Sequence, residues 1–216
     1  MPLSPPAERK KLHTRTIVID GYEREDGLFD VEAHLTDVKA YSFENEHRGR
    51  VPAGRPLHDM LVRLTFDERM TIVAAEASTE VGPYDRCAGG AASYASLVGL
   101  RIRPGFLKEA NARMAGPAGC THQREMLQEI ATTALQSMWA VRSRREAAAR
   151  AAGGQVEPEN PHRLLNTCHA YASDSPVVQE RWPQYYTGPV VPIREAELAA
   201  RRAAAQASDG AAASGD

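Results

Sequence analysis

Two short segments bring together residue types that could do acid–base or metal chemistry. In the first, Gly119-Cys120-Thr121-His122, the residues stand where a long helix is predicted to begin. Free N–H groups and the helix dipole favour an anion at such a position, which would include a thiolate at Cys120. The alternative is that Thr121 caps the helix while Cys120 packs as a small apolar side chain.

The second segment is His58-Asp59, which opens a predicted strand, with His34 on a neighbouring strand. A histidine near a carboxylate is suited to accept a proton close to neutral pH. Because side chains alternate along a strand, His58 is predicted on the apolar face and Asp59 on the opposite one. The alternatives are that His58 is only a polar residue with satisfied hydrogen bonds and that His34 is solvated.

Other motifs carry less chemistry. Cys168-His169 is a weak metal pair, because adjacent residues usually point apart. The aromatic residues that follow it favour packing, or the apolar wall of a pocket. The sequence contains no GxGxxG, GxxxxGK[ST], GxSxG or HExxH motif. Nucleotide binding, α/β-hydrolase chemistry and zincin chemistry therefore lose support.

The elements that must position these residues are predicted to form an α+β fold. Alternating apolar residues predict two β-hairpins, with strands at 13–20, 28–36, 57–66 and 70–79. Short helices are predicted at 91–98 and 105–114, and a long one from Thr121 to about Arg142. The hairpins are expected to make an antiparallel sheet packed by the C-terminal helices. The apolar stripe of the long helix comprises Leu127, Ile130, Ala131, Ala134, Leu135 and Met138.

The chain is predicted to hold one α+β domain, over residues 1–142, followed by three segments of different composition. Residues 143–160 are rich in Ala, Arg and Glu and then in Gly and Pro, which predicts a fraying helix and a linker. Residues 161–189 concentrate aromatic side chains and are expected to pack on the domain. Residues 190–216 form an Ala-rich tail that is predicted to be disordered.

Composition limits which binding partners and which cellular compartment are expected for the protein. Hydrophobic residues make up 43% and charged residues 25%, which is typical of a globular protein with a core. The net charge of −2 argues against a nucleic-acid partner. No run approaches the roughly 18 apolar residues of a membrane span. Three scattered cysteines predict reduced thiols in a cytoplasmic protein.

Six peptides resemble the bacterial family catalogued as domain of unknown function 2889. Several of them are unusual peptides, and together they span nearly all of residues 1–189. They are DGLFDVEAHLTDVKAY (26–41), GRPLHDM (54–60), GPYDRC (82–87), LVGLRIRPGF (97–106), GCTH (119–122) and NTCHAYASDSPVV (166–178).

The resemblance implies catabolism of lignin-derived aromatics, in which a similar protein acts as a γ-formaldehyde lyase on phenylcoumaran dimers. Such a lyase needs no metal or redox cofactor, so none is expected. The expected partners are a small aromatic substrate and a second copy of the chain. The residues that the resemblance assigns to acid–base roles are His58, Asp59 and His122. Those that it assigns to substrate binding are Tyr84, Phe29, Trp139 and His34.

A second resemblance, in the order of elements, is to the NifU-like iron–sulfur scaffold fold. It implies a metal site made of His58, Asp59, Cys87 and Cys120. The sequence departs from that pattern, because Leu57-His58 stands where the scaffold has its first cysteine. Three functions stay open on the sequence alone: a cofactor-independent lyase, a metal-binding scaffold, and a non-enzymatic module that binds small aromatics.

Overall fold

The chain divides into two units, with the boundary after Gly154. The computed structural model describes residues 3–154, 161 and 164–189. The predicted tail at 190–216 lies outside the described residues, as do residues 155–160 of the predicted linker.

A four-stranded antiparallel sheet forms the centre of the first unit. Its strands and those of a small separate hairpin are, in chain order, β1 (His13–Glu23), β2 (Phe29–Lys39), β3 (Phe43–Asn45), β4 (Gly49–Val51), β5 (Pro56–Phe66) and β6 (Ile72–Val81). The order in the large sheet is β1-β2-β5-β6, and every neighbouring pair is antiparallel. The predicted α+β fold, with an antiparallel sheet of two hairpins, is confirmed.

One face of this sheet is apolar because apolar residues occupy every second position of the two central strands. The buried residues are Phe29, Val31, Ala33 and Leu35 on β2 and Met60, Val62, Leu64 and Phe66 on β5. We call this the inner face, since it faces the helices of the unit. The opposite, outer face carries polar side chains between these positions, including Glu32 and Arg63, which pair at 2.7 Å.

Three α-helices follow the sheet: α1 (Phe106–Met114), α2 (Thr121–Glu125) and α3 (Leu127–Ala151). The prediction of a single long helix from Thr121 is wrong in one respect, because the helix is interrupted at Met126. The N–H of Met126 donates to the carbonyl of Gln123 at 3.2 Å, which tightens the turn between α2 and α3. None of the helices in the described residues is long and apolar enough to cross a membrane.

Helix α3 packs against the inner face and extends beyond its predicted end. Its buried residues are Leu127, Ile130, Ala131, Ala134, Met138 and Val141. Leu135, predicted in this stripe, is instead 53% exposed because it lies at the edge of the helix face that meets the sheet. Close approach depends on Gly21 of β1, where an added Cβ would come within 2.0 Å of the Ser137 hydroxyl oxygen. The start of the predicted 143–160 segment is therefore a continuation of α3, through Ala151.

The helix predicted at 91–98 is a longer run of 3-10 turns over Asp85–Leu97. The run contains Gly89 and Gly90, and consecutive glycines disfavour an α-helix. Gly90 also has a packing role, since an added Cβ would lie 2.9 Å from the Cβ of Cys120. The glycine thus lets the segment that leads into α2 lie directly against this run.

In the second unit, the described residues include one short helix, α4 (Pro176–Arg181). Ser175 caps it, because its hydroxyl oxygen accepts from the N–H of Val178 at 3.3 Å. The rings of Tyr171 and Trp182 lie 5.6 Å apart. The aromatic residues of this segment therefore contact one another, and their packing on the first unit stays a prediction.

Candidate functional site

A row of polar side chains crosses three strands at one end of the inner face. The register places Arg15 of β1 opposite Asp37 of β2, and Asp37 opposite His58 of β5. All three continue the alternation that puts apolar residues on the inner face further along each strand. The sheet therefore aligns a cation, a carboxylate and an imidazole at cross-strand contact distance.

Asp37 is the centre of this row and is 1% exposed. Its Oδ1 accepts from Arg15 Nε and from His13 Nε2, each at 2.9 Å. Its Oδ2 accepts from Arg15 Nη2 at 2.8 Å and from His58 Nδ1 at 2.9 Å. Four donors thus use the roughly four lone-pair sites of one carboxylate. Burial by itself raises the pKa of Asp37, but these hydrogen bonds outweigh burial and hold the pKa well below its usual value.

His58 is held in one tautomer by Asp37. An ionised carboxylate only accepts, so His58 must donate through Nδ1–H, which leaves Nε2 free to accept a proton. The residue is 7% exposed. Burial lowers the pKa of His58, and so does the nearby His122 ring, and together they outweigh the opposite effect of Asp37. His58 is therefore a neutral, oriented base at pH 7.

His122 lies on α2, directly over His58. The two ring centroids are 3.9 Å apart, and the rings are tilted by 33°. Cys120 Sγ lies 4.0 Å from His122 Nδ1. Helix α2 is anchored beside the pair by Gln123, whose Nε2 donates to the carbonyl of Ser78 at 2.9 Å. The structure thus brings together the two histidines that the sequence singled out from separate segments.

A recess of about 330 Å³ lies at the same end of the sheet. Its lining includes Arg48, Tyr84, Cys87 and Val81, and Val81 lies opposite Asp59, the residue after His58. The ring of Tyr84 also contacts His47, whose ring lies edge-on with its centroid at 5.0 Å. None of Asp37, His58 and His122 is among the residues that line this recess, and the role of Tyr84 in substrate binding stays a prediction.

Asp59 and His34 do not join this row, because both lie on the outer face. They pair with each other, with His34 Nε2 at 2.7 Å from Asp59 Oδ1. His34 lines a broad, shallow concavity of about 710 Å³ together with Val18 and Leu61. This concavity is larger than the recess, but it lies on the opposite side of the sheet from His58 and His122. The carboxylate partner of His58 is therefore Asp37.

Phe29 and Trp139 are not members of the row either. Phe29 is in the core, stacked on Phe66 with ring centroids 5.7 Å apart. It lies eight positions before Asp37 on β2, which is roughly 26 Å of strand. Trp139 is 59% exposed on α3. Phe29 is therefore out of reach of a ligand held at His58, and the role of Trp139 in substrate binding stays a prediction.

The predicted metal set His58, Asp59, Cys87 and Cys120 is not assembled, because Asp59 lies on the other side of the sheet. In the described part of the chain, the one group of three with metal-ligand atoms within 4.8 Å of one another is Asp37, His58 and His122. Cys87 packs beside Gly82 instead. Cys120 packs against the core, in agreement with the alternative that treats it as a small apolar side chain.

Sequence reasoning missed Asp37, Arg15 and His13. A signal was present, because Asp37 continues the alternation of Phe29 to Leu35 and so occupies an inner-face position. A carboxylate at such a position must be paired. Arg15 and His13 are likewise polar residues at inner-face positions of β1, and they lie at the same end of that face as Asp37.

We expect the free energy of unfolding to fall as the pH is lowered below about 6.5, the usual pKa of histidine. The pKa of His58 is depressed in the folded protein, so the unfolded chain binds a proton that the folded chain does not. The stabilisation is complete above the unfolded-state pKa and is lost as the pH falls. Asp37 causes a second fall in the free energy of unfolding below about pH 4, because its pKa is also lower in the folded protein than in the unfolded chain.

Urea unfolding of the wild type and of His58→Gln, measured between pH 4 and pH 8, checks this expectation. The variant should show a flatter dependence between about pH 7 and pH 5, where the histidine titrates. The same slope in both proteins would contradict the burial of a neutral His58.

Comparison with known proteins identifies one family. The family model described as "Protein of unknown function (DUF2889)" matches residues 13–136. The match begins with β1 and ends within α3, so it includes every residue of the inner-face row together with His122. No curated protein matches the chain, and no solved structure matches it. The resemblance to NifU-like scaffolds stays a prediction.

Proposed function

We propose, from the premise that this chain belongs to the DUF2889 family of proteins of unknown function, that Asp37, His58 and His122 catalyse an acid–base reaction. The observation that carries this proposal is the state of His58. Its Nδ1 is committed to a buried carboxylate, its Nε2 is free, and a second imidazole lies 3.9 Å away. One ring can accept a proton while the other supplies one.

The reaction that we assign to this pair is release of formaldehyde from phenylcoumaran dimers. Loss of the proton of the para phenol opens the Cα–O ether, which gives a quinone methide and a phenolate. Loss of the γ-hydroxyl proton then breaks the Cβ–Cγ bond. Its electron pair becomes the Cα=Cβ bond of a stilbene, the quinone methide ring regains aromaticity, and formaldehyde leaves. Both phenolates are reprotonated, so atoms and electrons balance without an external oxidant or reductant.

The chain's residues would divide this work as follows. His58 Nε2 takes the γ-hydroxyl proton, because Asp37 orients the ring and stabilises the imidazolium that forms. His122 gives a proton to the ether oxygen as it becomes a phenolate. Because the two rings are stacked, a second positive charge on the pair is disfavoured. Over one turnover the pair takes the γ-hydroxyl proton and gives one proton to the ether oxygen. The para-phenol proton passes to water before the ether opens and is returned by water when the ring regains aromaticity.

Purified protein is expected to convert a phenylcoumaran alcohol to equimolar formaldehyde and stilbene. The stilbene is followed by its ultraviolet absorbance, and the formaldehyde by a colorimetric reagent. The same dimer with its γ-hydroxyl methylated is the matched control, since it has no proton for His58 to remove. Lack of turnover with every phenylcoumaran alcohol tried, by protein whose fold is intact, would contradict the lyase assignment.

A divalent-cation site is the second candidate, favoured by the proximity of Asp37, His58 and His122. Two features of the site oppose it. The four hydrogen bonds to Asp37 leave no lone pair for a metal, and Arg15 already supplies a positive charge at that carboxylate. Metal content of protein purified without chelators separates the two candidates. A stoichiometric metal that is lost in His122→Ala would favour the cation site.

A further inference from the structure

Arg15 joins the sheet to α2 at the candidate site. Its Nε and Nη2 bind both oxygens of Asp37, at 2.9 and 2.8 Å, in the planar two-bond geometry of an arginine–carboxylate pair. Its remaining terminal nitrogen, Nη1, donates to Glu125 Oε2. One side chain of β1 thus holds a carboxylate of the sheet and a carboxylate of a helix at the same time.

Glu125 lies three residues after His122 on α2, so the two side chains share one side of that helix. Helix α2 has only five residues and no side-chain cap. A helix this short depends on tertiary contacts for its position. The contact of Arg15 with Glu125 is therefore a second anchor of α2, beside that of Gln123, on the side of the helix that carries His122.

The other arm of Arg15 acts on His58 through Asp37. The two parallel hydrogen bonds from the guanidinium fix the plane of the Asp37 carboxylate, and in that plane Oδ2 also accepts from His58 Nδ1. Without this planar pair the carboxylate can turn about its Cβ–Cγ bond, so that it no longer holds the His58 proton on Nδ1 and the ring can take its other tautomer. Among the described residues, the titratable or charged groups that bond to Asp37 are Arg15 and His13 on β1 and His58 on β5. On α2, His122 contacts His58 and Glu125 contacts Arg15.

We infer that Arg15 is a positioning residue that sets both the tautomer of His58 and the placement of His122 over it, without contacting substrate. The catalytic importance of this role rests on the proposed function. The contacts of Arg15 with Asp37 and Glu125 do not depend on any substrate, and the tautomer of His58 can be measured without one. A purely structural role of Arg15 would change stability and leave the tautomer of His58 as it is.

The test is nitrogen NMR of protein labelled with ¹⁵N at histidine, in wild type and in Arg15→Lys. Lysine keeps the positive charge but loses the planar pair of N–H donors. In wild type the His58 ring should carry its proton on Nδ1. In Arg15→Lys a substantial Nε2–H population should appear. Ring-nitrogen shifts identical to those of wild type would overturn the proposal.

Arg24→Lys is the matched control. Arg24 makes the same two-bond pair with Asp26, at 3.0 and 2.6 Å, on an exposed turn. Its replacement should leave the His58 signals unchanged. A change as large as that in Arg15→Lys would show that the effect is not local and would overturn the proposal.

Glu125→Gln tests the contact between Arg15 and α2. It also serves as the test if Arg15→Lys does not fold, since Glu125 is 54% exposed and its replacement leaves the core unchanged. The tautomer of His58 should be retained, while the ring-proton shifts of His122 move as its stacking on His58 loosens. Unchanged His122 shifts would overturn the claim that Arg15 places α2.

Turnover supplies a separate readout. Under the proposed lyase reaction, Arg15→Lys should lose roughly 10- to 100-fold in kcat, the range typical of residues that orient metal-binding histidines in enzymes. The acidic limb of its pH–rate profile should also shift, which a loss of folded protein would not cause. Absence of activity in wild type would count against the lyase, and the NMR result would still decide the role of Arg15.

Discussion

Replacing His58 with glutamine is expected to lower kcat of formaldehyde release by about 10²- to 10⁴-fold, the usual contribution of a general acid–base group. Glutamine retains an N–H that can donate to Asp37, so the buried carboxylate keeps its fourth partner. What is lost is the Nε2 lone pair that accepts the γ-hydroxyl proton. The measurement is the initial rate of stilbene formation at saturating substrate.

His34→Gln is the control for this substitution. His34 also pairs with an aspartate, at 2.7 Å, and lies on the outer face of the same sheet. Its replacement should change kcat by less than about twofold, because surface changes away from a site have small effects. A large loss in His34→Gln with none in His58→Gln would move the active site to the outer face.

The parts of the fold that follow from the pattern of apolar residues alone could be predicted from the sequence. The alternation of Phe29 to Leu35 and of Met60 to Phe66 can be satisfied only by a sheet with one buried face. The interruption at Met126 was not predictable in this way, because every residue around it is compatible with a continuous helix. It depends instead on a tightened turn that buries Met126 in the core.

The candidate site was predictable in part. His58 and His122 stood out because each lies at the end of an element, but their stacking depends on how α2 crosses the sheet. The choice of Asp59 as the carboxylate followed proximity in sequence, although adjacent residues of a strand face opposite sides. The cross-strand register decides the partner, and it pairs His58 with Asp37. Register follows from the packing of both hairpins, which no single segment reveals.

The Asp37→Asn variant separates these two aspartates, and its expected effect is the largest of all. Every contact to Asp37 is a donor pointing at a carboxylate oxygen: two from Arg15, one from His13 and one from His58. Asparagine offers one acceptor oxygen and places an NH₂ group where the second oxygen was. That NH₂ group would face the N–H of Arg15 or of His58.

The conflict is relieved if His58 moves its proton to Nε2 and accepts from the new amide through Nδ1. The nitrogen that must take the substrate proton is then already protonated, so the base is lost. A wrong tautomer of this kind lowers kcat by roughly 10⁴-fold in the serine-protease triad, and a loss of about 10³-fold or more is expected here. Arg15 Nη2, which in wild type also donates to Oδ2, would face the new NH₂ group without an acceptor, and this should cost about 1–3 kcal/mol of stability, measured by urea unfolding.

Asp59→Asn completes the comparison, because it makes the same chemical change in the other His–Asp pair of the sheet. Its kcat should stay within about twofold of wild type, and its unfolding free energy within roughly 0.5 kcal/mol. Both variants should be assayed as folded protein, with circular dichroism spectra compared to wild type. If Asp59→Asn abolishes turnover while Asp37→Asn retains it, the base acts from the outer face and the inner-face row is structural.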